Sequence, residues 1–439
     1  MKMGKSSKQQ PNAGTAASKA ASKAAGSAPP TLKQTRRERP EDIMTVLISA
    51  TPLAAAVIGL AWGMGEFGIF HSTTEGRTHI LVRLIFFLVF DAAFARNLAE
   101  LFVLASRPLS RLLPGAVVPP SPAKCAEEEL AQHDPSLVWP PTSAALPAEW
   151  VKSAASRSPK RRQPYFLNHM RGCVRLRQAA LRLGAAAGTL AQVYFMSILL
   201  DKRSLRVIGL PASPLDIVLG SDLWLGVLTG AACVIALFVV EVALGWVKVI
   251  GVFETVAPGE SLSLNLLWDI LFHAGVAVNE EVSMRGWMLL NIAQAFVAHL
   301  GISVASAGGL SVGLQSALFA IAHLNSPGAS SLGLINLMIG GGAGALNVFL
   351  SGGLAFPLGW HFGWNLLMGH LLGLSTSGIP MSSKLISVVP HPDKAALHGG
   401  QFGAEQSPLA PFAYLLGCAL LLYFYGDSGI DEWRQQLTA

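Results

Sequence analysis

From residue 183 to residue 426 this chain passes through one apolar stretch after another, at about 183–200, 222–247, 262–278, 285–306, 308–323, 331–350, 354–374 and 409–426. Two more, 43–64 and about 79–105, precede them. A helix that crosses hydrocarbon needs about 20 apolar residues, because each backbone N–H and C=O must be paired inside the segment. Some of these stretches are short or rich in Gly, so the pattern predicts roughly eight spans with one or two pieces broken or re-entrant. Strand signals are weak, and an open strand cannot cross a bilayer. The expected fold is all-α, a polytopic transmembrane helical bundle. Only 13% of residues are charged, against about 25% in an ordinary soluble domain. With 51% hydrophobic residues, that excludes both a single soluble globule and a disordered chain. Cys125, Cys173, Cys233 and Cys418 are scattered with no CxxC, so neither a disulfide framework nor a zinc knuckle is expected.

The net charge of +6 would hint at nucleic acid in a soluble protein. In a membrane protein its distribution carries the information, and no nucleic-acid partner is expected. Residues 1–42 read as a disordered basic cytoplasmic tail, with nine Lys or Arg and the single acid Glu38 among the first 40. Residues 43–105 read as two N-terminal transmembrane helices. The second includes Arg83, Asp91, Arg96 and Glu100, which must pair or stay near an interface. Residues 106–182 read as an extramembrane basic and Pro-rich loop, whose part 151–182 holds nine Lys or Arg and no acid. Tail and loop together hold 18 of the 32 Lys and Arg, so both are expected on the cytoplasmic side, and the two intervening spans make that consistent. The expectation is an integral, multi-pass protein with a cytoplasmic N-terminus, in the plasma membrane if the source is bacterial.

The remaining region, 183–439, has polar groups set inside apolar sequence, and charge at membrane depth is costly enough to be a functional hypothesis by default. The first group is Asn279-Glu280-Glu281-Val282-Ser283-Met284-Arg285. On a helix Glu281 and Arg285 are i,i+4 neighbours and can pair. Glu280 points about 100° away and is left for another partner. The second group runs from Phe319 to His323. The third runs from His361 to Asn365, which share a helix face. A lone membrane histidine is usually a packing residue; three such groups in this order form a far more specific signal.

The order EExxxR, FxxxH, HxxxN resembles the signature of the CPBP intramembrane proteases, which include the CAAX prenyl-protein endopeptidases and bacteriocin-processing or self-immunity (Abi) proteins. Glu280, Glu281 and Arg285 match the first motif, Phe319 and His323 the second, His361 and Asn365 the third. SALFAIAHLNSP, FPLGWHFGWNLL and LHGGQFGAEQS are similar to the family as well. The resemblance covers about 262–425, with a motif core at 262–374, while residues 1–180 match nothing recognised. It implies a membrane-associated protein or peptide substrate, CAAX-type prenylated in one branch of the family, and a lipid bilayer as the surroundings.

The chemistry fits independently. Peptide hydrolysis needs an activated water, a stabiliser for the oxyanion and a proton for the leaving amine. Glu280 can act as general base with His323 orienting the water, while His361 and Asn365 can hold the oxyanion. Glu281 and Arg285, with Phe319, then read as structural support. No metal is expected, because HExxH is missing and an amide is a poor zinc ligand. The alternative is a zinc-dependent version with Glu280, His323 and His361 as ligands. Two rivals come from other classes. One is a catalytically silent immunity or partner-binding protein. The other is a transporter, for which no inverted repeat is visible. A serine hydrolase has no support, as there is no Gly-x-Ser-x-Gly elbow. Outside the motifs, His273, His299 and His370 read as packing or interface residues. Glu241 can snorkel, pair or face a cavity, and Gly340–Gly344 reads as close helix packing. His391, Asp393 and His398 are too loosely spaced to argue for a metal.

Overall fold

In the computed structural model the described residues are 172–211, 213–252, 262–379, 384–426 and 429–431, with Phe87, Leu98, Ala99, Leu101, Phe102 and Trp433. The tail, the first span and the stretch from 106 to 171 lie outside them, as does nearly all of the second span. Helix α1 spans Gly172–Tyr194. It begins inside the segment expected to be loop, because RLRQAALRL within it is built from Leu, Arg, Gln and Ala, which all favour helix. Helix α2 spans Ser221–Ala243. Helix α3 spans Leu262–Glu280, passes into a wide π-helical turn at Glu281–Met288, and continues as α4, Leu289–Leu300. Then follow α5, Val304–Ala322, α6, Ser331–Ser351, α7, Ala355–Leu366, and α8, Ala410–Tyr425.

Four described helices are long and apolar enough to cross a membrane: Ser221–Ala243, the continuous Leu262–Leu300, Val304–Ala322 and Ser331–Ser351. The expected eight are not reached among the described residues. One reason is that the stretches at 262–278 and 285–306 form one helix rather than two. The outer faces stay apolar, with Leu228, Val239, Ile335, Phe412 and Tyr423 exposed. Such a surface suits lipid and not water.

The described residues are mostly helical but depart from the all-α expectation in a short β-ribbon. Strand β1, Val247–Val252, pairs antiparallel with β2, Ile386–Pro390, with Val247 opposite Pro390 and an irregularity between Val249 and Gly251. Both segments are rich in β-branched residues, too few to stand out from the apolar runs beside them. This ribbon ties the chain after α2 to the segment that leads into α8.

Small residues set the closest crossings. α2 packs mainly on α7, where Gly226 and Gly230 face the backbones of Phe356 and Trp360, and Gly359 and Gly363 face those of Leu223 and Val227. A side chain on any of the four would meet main-chain atoms, so the two helices touch backbone to backbone. The glycine run on α6 acts likewise: Gly341 packs on Ser316 of α5 and Gly340 on Tyr414 of α8. One hydrophobic cluster gathers Cys233, Phe356, Trp360, Trp364 and Tyr414. A second gathers Trp287, Leu289's neighbours Met288 and Leu290, and Leu354. Phe87, from the second N-terminal segment, stacks on Trp287 at 4.3 Å.

Candidate active site

The first motif lies across a change of helix type. Glu280 is the last residue of α3 and Glu281 the first of the π-helical turn. Such wide turns inside α-helices are frequent at functional sites, and here the adjacent carboxylates go to different surroundings. Glu281 is buried, and its Oε1 accepts hydrogen bonds from Arg285 Nη1 at 3.0 Å and from His361 Nδ1 at 2.7 Å. Glu280 keeps about a fifth of its side-chain surface open, with Oε2 3.8 Å from His361 Nε2.

The second motif leans on the first. The Arg285 guanidinium carbon sits 4.2 Å from the Phe319 ring centroid, and the Phe319 ring lies 4.9 Å from that of His323. Gly344 of α6 gives Arg285 its room, since a Cβ there would come within 3.0 Å of Nε. His323 caps the C-terminus of α5, with Nδ1 2.8 Å from the carbonyl oxygen of Phe319. A carbonyl only accepts, so Nδ1 carries the proton and Nε2 of the neutral ring is a lone pair. By the same logic Glu281 fixes His361 with its proton on Nδ1, leaving Nε2 toward Glu280. Asn365, one turn after His361 on α7, is buried.

These groups line one cavity of about 580 Å³, together with Glu281, Arg285 and Phe319. All seven motif residues therefore meet, although they come from α3 and its wide turn, α5 and α7. Among the described residues no three His, Cys, Asp or Glu side chains are grouped so as to hold a metal ion. Two imidazole nitrogens and a carboxylate are chemically suitable zinc donors, but Glu280, His323 and His361 are not gathered into a ligand set.

The cavity also brings in residues that the motif reading did not single out. Glu405, in a short turn before α8, is buried, and its Oε2 accepts from both the backbone N–H and the hydroxyl of Ser377, each at 2.7 Å. Ser377 has φ +47°, a left-handed conformation uncommon outside Gly. Burial pushes the Glu405 carboxyl up from its ordinary value of 4.5, against the opposing pull of the Ser377 donors and of His323. The signal for it lay in LHGGQFGAEQS, which has one acid among neutral residues. Arg182 of α1 and His273 of α3 line the cavity too.

The other candidates fall elsewhere. Glu241 is fully buried in α2 and does not line the cavity, and His299 is exposed near the end of α4. His391 Nδ1 accepts from the N–H of Asp393, and His398 bonds the carbonyl of His391 at 3.0 Å, so these residues shape their loop.

Residues 262–367 match the family described as Type II CAAX prenyl endopeptidase Rce1-like. That span takes in all seven motif residues, agrees with the CPBP resemblance and ends before Ser377 and Glu405. No curated protein and no solved structure matches the chain.

Proposed function

We propose that this chain, which carries an Rce1-like type II CAAX prenyl endopeptidase domain over residues 262–367, hydrolyses a peptide bond of a membrane-associated protein, with a CAAX-type prenylated protein as the substrate class. The observation that supports this best is the placement in one cavity of a partly open carboxylate, Glu280, beside two imidazoles whose Nδ1 atoms are already engaged, His323 by the Phe319 carbonyl and His361 by Glu281.

In the mechanism we favour, Glu280 takes a proton from a water as the water oxygen attacks the substrate carbonyl carbon. His323 Nε2 accepts the water's second hydrogen and so aims its lone pair. The carbonyl oxygen becomes an oxyanion, which the Asn365 amide N–H₂ stabilises. His361 adds a second donor when Nε2 is protonated, and the imidazolium then faces the carboxylates of Glu280 and Glu281. As the C–N bond breaks, the proton held by Glu280 passes to the leaving amine, and the carboxylate is restored. Glu281 touches no reacting atom in this scheme; it sets the His361 ring and neutralises Arg285.

No step is routed through a metal, and we favour the metal-free route over zinc held by Glu280, His323 and His361. The test is purified enzyme in lipid with a farnesylated CAAX peptide, together with a comparison of membrane peptides from cells carrying wild type or Glu280→Gln. Cleavage by wild type, lost in Glu280→Gln at equal protein level, is the expected result. Identical peptide profiles would favour the silent immunity or partner-binding reading. Activity should survive prolonged zinc chelation; loss on chelation with recovery on adding zinc would overturn the metal-free route.

A further inference from the structure

Two arginines line the cavity. Arg285 is taken up by Glu281. Arg182 of α1, half-buried, is engaged by no hydrogen bond or ion pair of its side chain among the described residues. It belongs to the basic segment 151–182, whose charge suggested a role in topology, and it lies outside the matched span 262–367.

The crossing of α1 and α3 holds Arg182 at the wall. A Cβ at Gly275 would come within 2.7 Å of the Arg182 carbonyl carbon, so the two backbones touch there. Seven residues on, Thr189 donates to Asn279 Oδ1 at 2.6 Å, next to Glu280 in the chain. The guanidinium carbon stands 5.4 Å from the Phe272 ring centroid. That contact uses the flat face of the cation and leaves its N–H edge for a ligand. The charge bears on Glu280, yet Glu280 turns to His361 instead. A guanidinium fork with no carboxylate of its own, on the wall of a polar cavity, is suited to an oxyanion that it can bond bidentately.

Helix α3 supplies the ruler. Phe272 precedes Glu280 by eight residues, about 12 Å along the axis. An extended peptide advances about 3.3 Å per residue. A substrate whose scissile bond lies at Glu280 therefore comes level with Arg182 some three or four residues from the cut. A CAAX sequence is the last four residues of its protein, so a substrate of that class brings a free carboxylate into this range. We propose that Arg182 receives the C-terminal α-carboxylate of the substrate, three or four residues beyond the scissile bond, and thereby confines cleavage to the end of a chain. This inference rests on the endopeptidase reading and adds a specificity-determining residue to it.

The experiment uses the full chain in nanodiscs of phosphatidylcholine alone and of phosphatidylcholine with an anionic lipid. Two farnesylated peptides ending in the same CAAX sequence are compared, one with a free C-terminal carboxylate and one with a C-terminal amide, which carries no charge. Binding, KM and kcat are measured for wild type, Arg182→Gln and Arg182→Lys. Wild type should favour the acid about tenfold in KM, as loss of a charged hydrogen bond predicts, with kcat for the two peptides within about twofold. The acid and the amide should become equal substrates of Arg182→Gln. Arg182→Lys keeps the charge without the fork and should retain part of the preference; it serves as the comparison if Arg182→Gln does not accumulate. Equal treatment of acid and amide by wild type, a preference that survives in Arg182→Gln, or no binding of either peptide to folded wild type would overturn the inference. So would an Arg182→Gln defect that is alike for both peptides and confined to anionic membranes, which would assign the guanidinium to a lipid phosphate. A preference for the acid in binding, lost in Arg182→Gln but without any cleavage, would sustain the carboxylate site and overturn the endopeptidase reading alone.

Discussion

At the scale of single residues, the adjacent carboxylates of the first motif have different environments, and their substitutions should part accordingly. Glu281→Gln weakens the partner of both Arg285 and His361, which it bonds at 3.0 and 2.7 Å. Removing one partner of a buried charge pair costs roughly 3–5 kcal/mol. Glu281→Gln should therefore lower the unfolding temperature and the abundance as well as the rate, whereas Glu280→Gln should lose turnover and still accumulate. Thermal unfolding in detergent, read beside a cleavage assay, separates the two; a Glu281→Gln protein as stable and active as wild type would remove the structural role. Glu405 carries a pH signature instead. Its folded-state carboxyl is raised above 4.5 by burial, so the folded protein holds that proton more tightly than the unfolded chain does. The linked stability is present below pH 4.5 and is lost as pH rises through the folded-state value. Glu405→Gln keeps an acceptor for Ser377 and has no proton to lose. Its unfolding temperature should match wild type near pH 4 and exceed it increasingly toward neutral pH. A constant difference across that range would contradict the assignment.

At the scale of elements, the α2–α7 crossing is what presents the third motif. Gly363 lies between His361 and Asn365 in sequence, and a side chain there would strike the backbone of Val227. Overpacking of a well-filled contact costs about 1–3 kcal/mol, and here no flexible side chain can yield. Gly363→Leu should lower the unfolding temperature and reduce cleavage by displacing His361 and Asn365 together. Val239→Leu, on the exposed face of the same α2, should change neither. Equal tolerance at both positions would show that the close approach is not needed. The helix pattern over 304–322, 331–351 and 410–425 could be read from apolar runs. The wide turn at Glu281–Met288 could not, because a π-helical turn depends on which hydrogen bonds the packed neighbours allow. Apolar composition also could not reveal that α3 and α4 join into one helix through it.

At the scale of the whole molecule, four described helices are long and apolar enough to cross a membrane, and the cavity that gathers the motif side chains lies within the bundle. The basic tail and the basic segment up to residue 171 lie outside the described residues, and their charge still makes a topological prediction. Cytoplasmic segments carry the Lys and Arg excess, so tags at residues 10 and 150 should both resist protease added to sealed right-side-out vesicles. Cleavage of either tag would refute that orientation.

The sequence by itself determined the membrane class, the helical architecture and the seven motif residues, because hydropathy and i,i+4 spacing are local properties of the chain. It made the Glu281–Arg285 pair legible for the same reason. Tertiary structure alone decided that Glu281 also holds His361 and that Phe319 lies between Arg285 and His323. It also brought Glu405 and His273 to the cavity wall. Those contacts join residues far apart in sequence on separate elements, and no local period encodes which faces meet. They follow from backbone-to-backbone helix crossings and from the need to pair each buried polar group, both of which are settled only when the bundle closes.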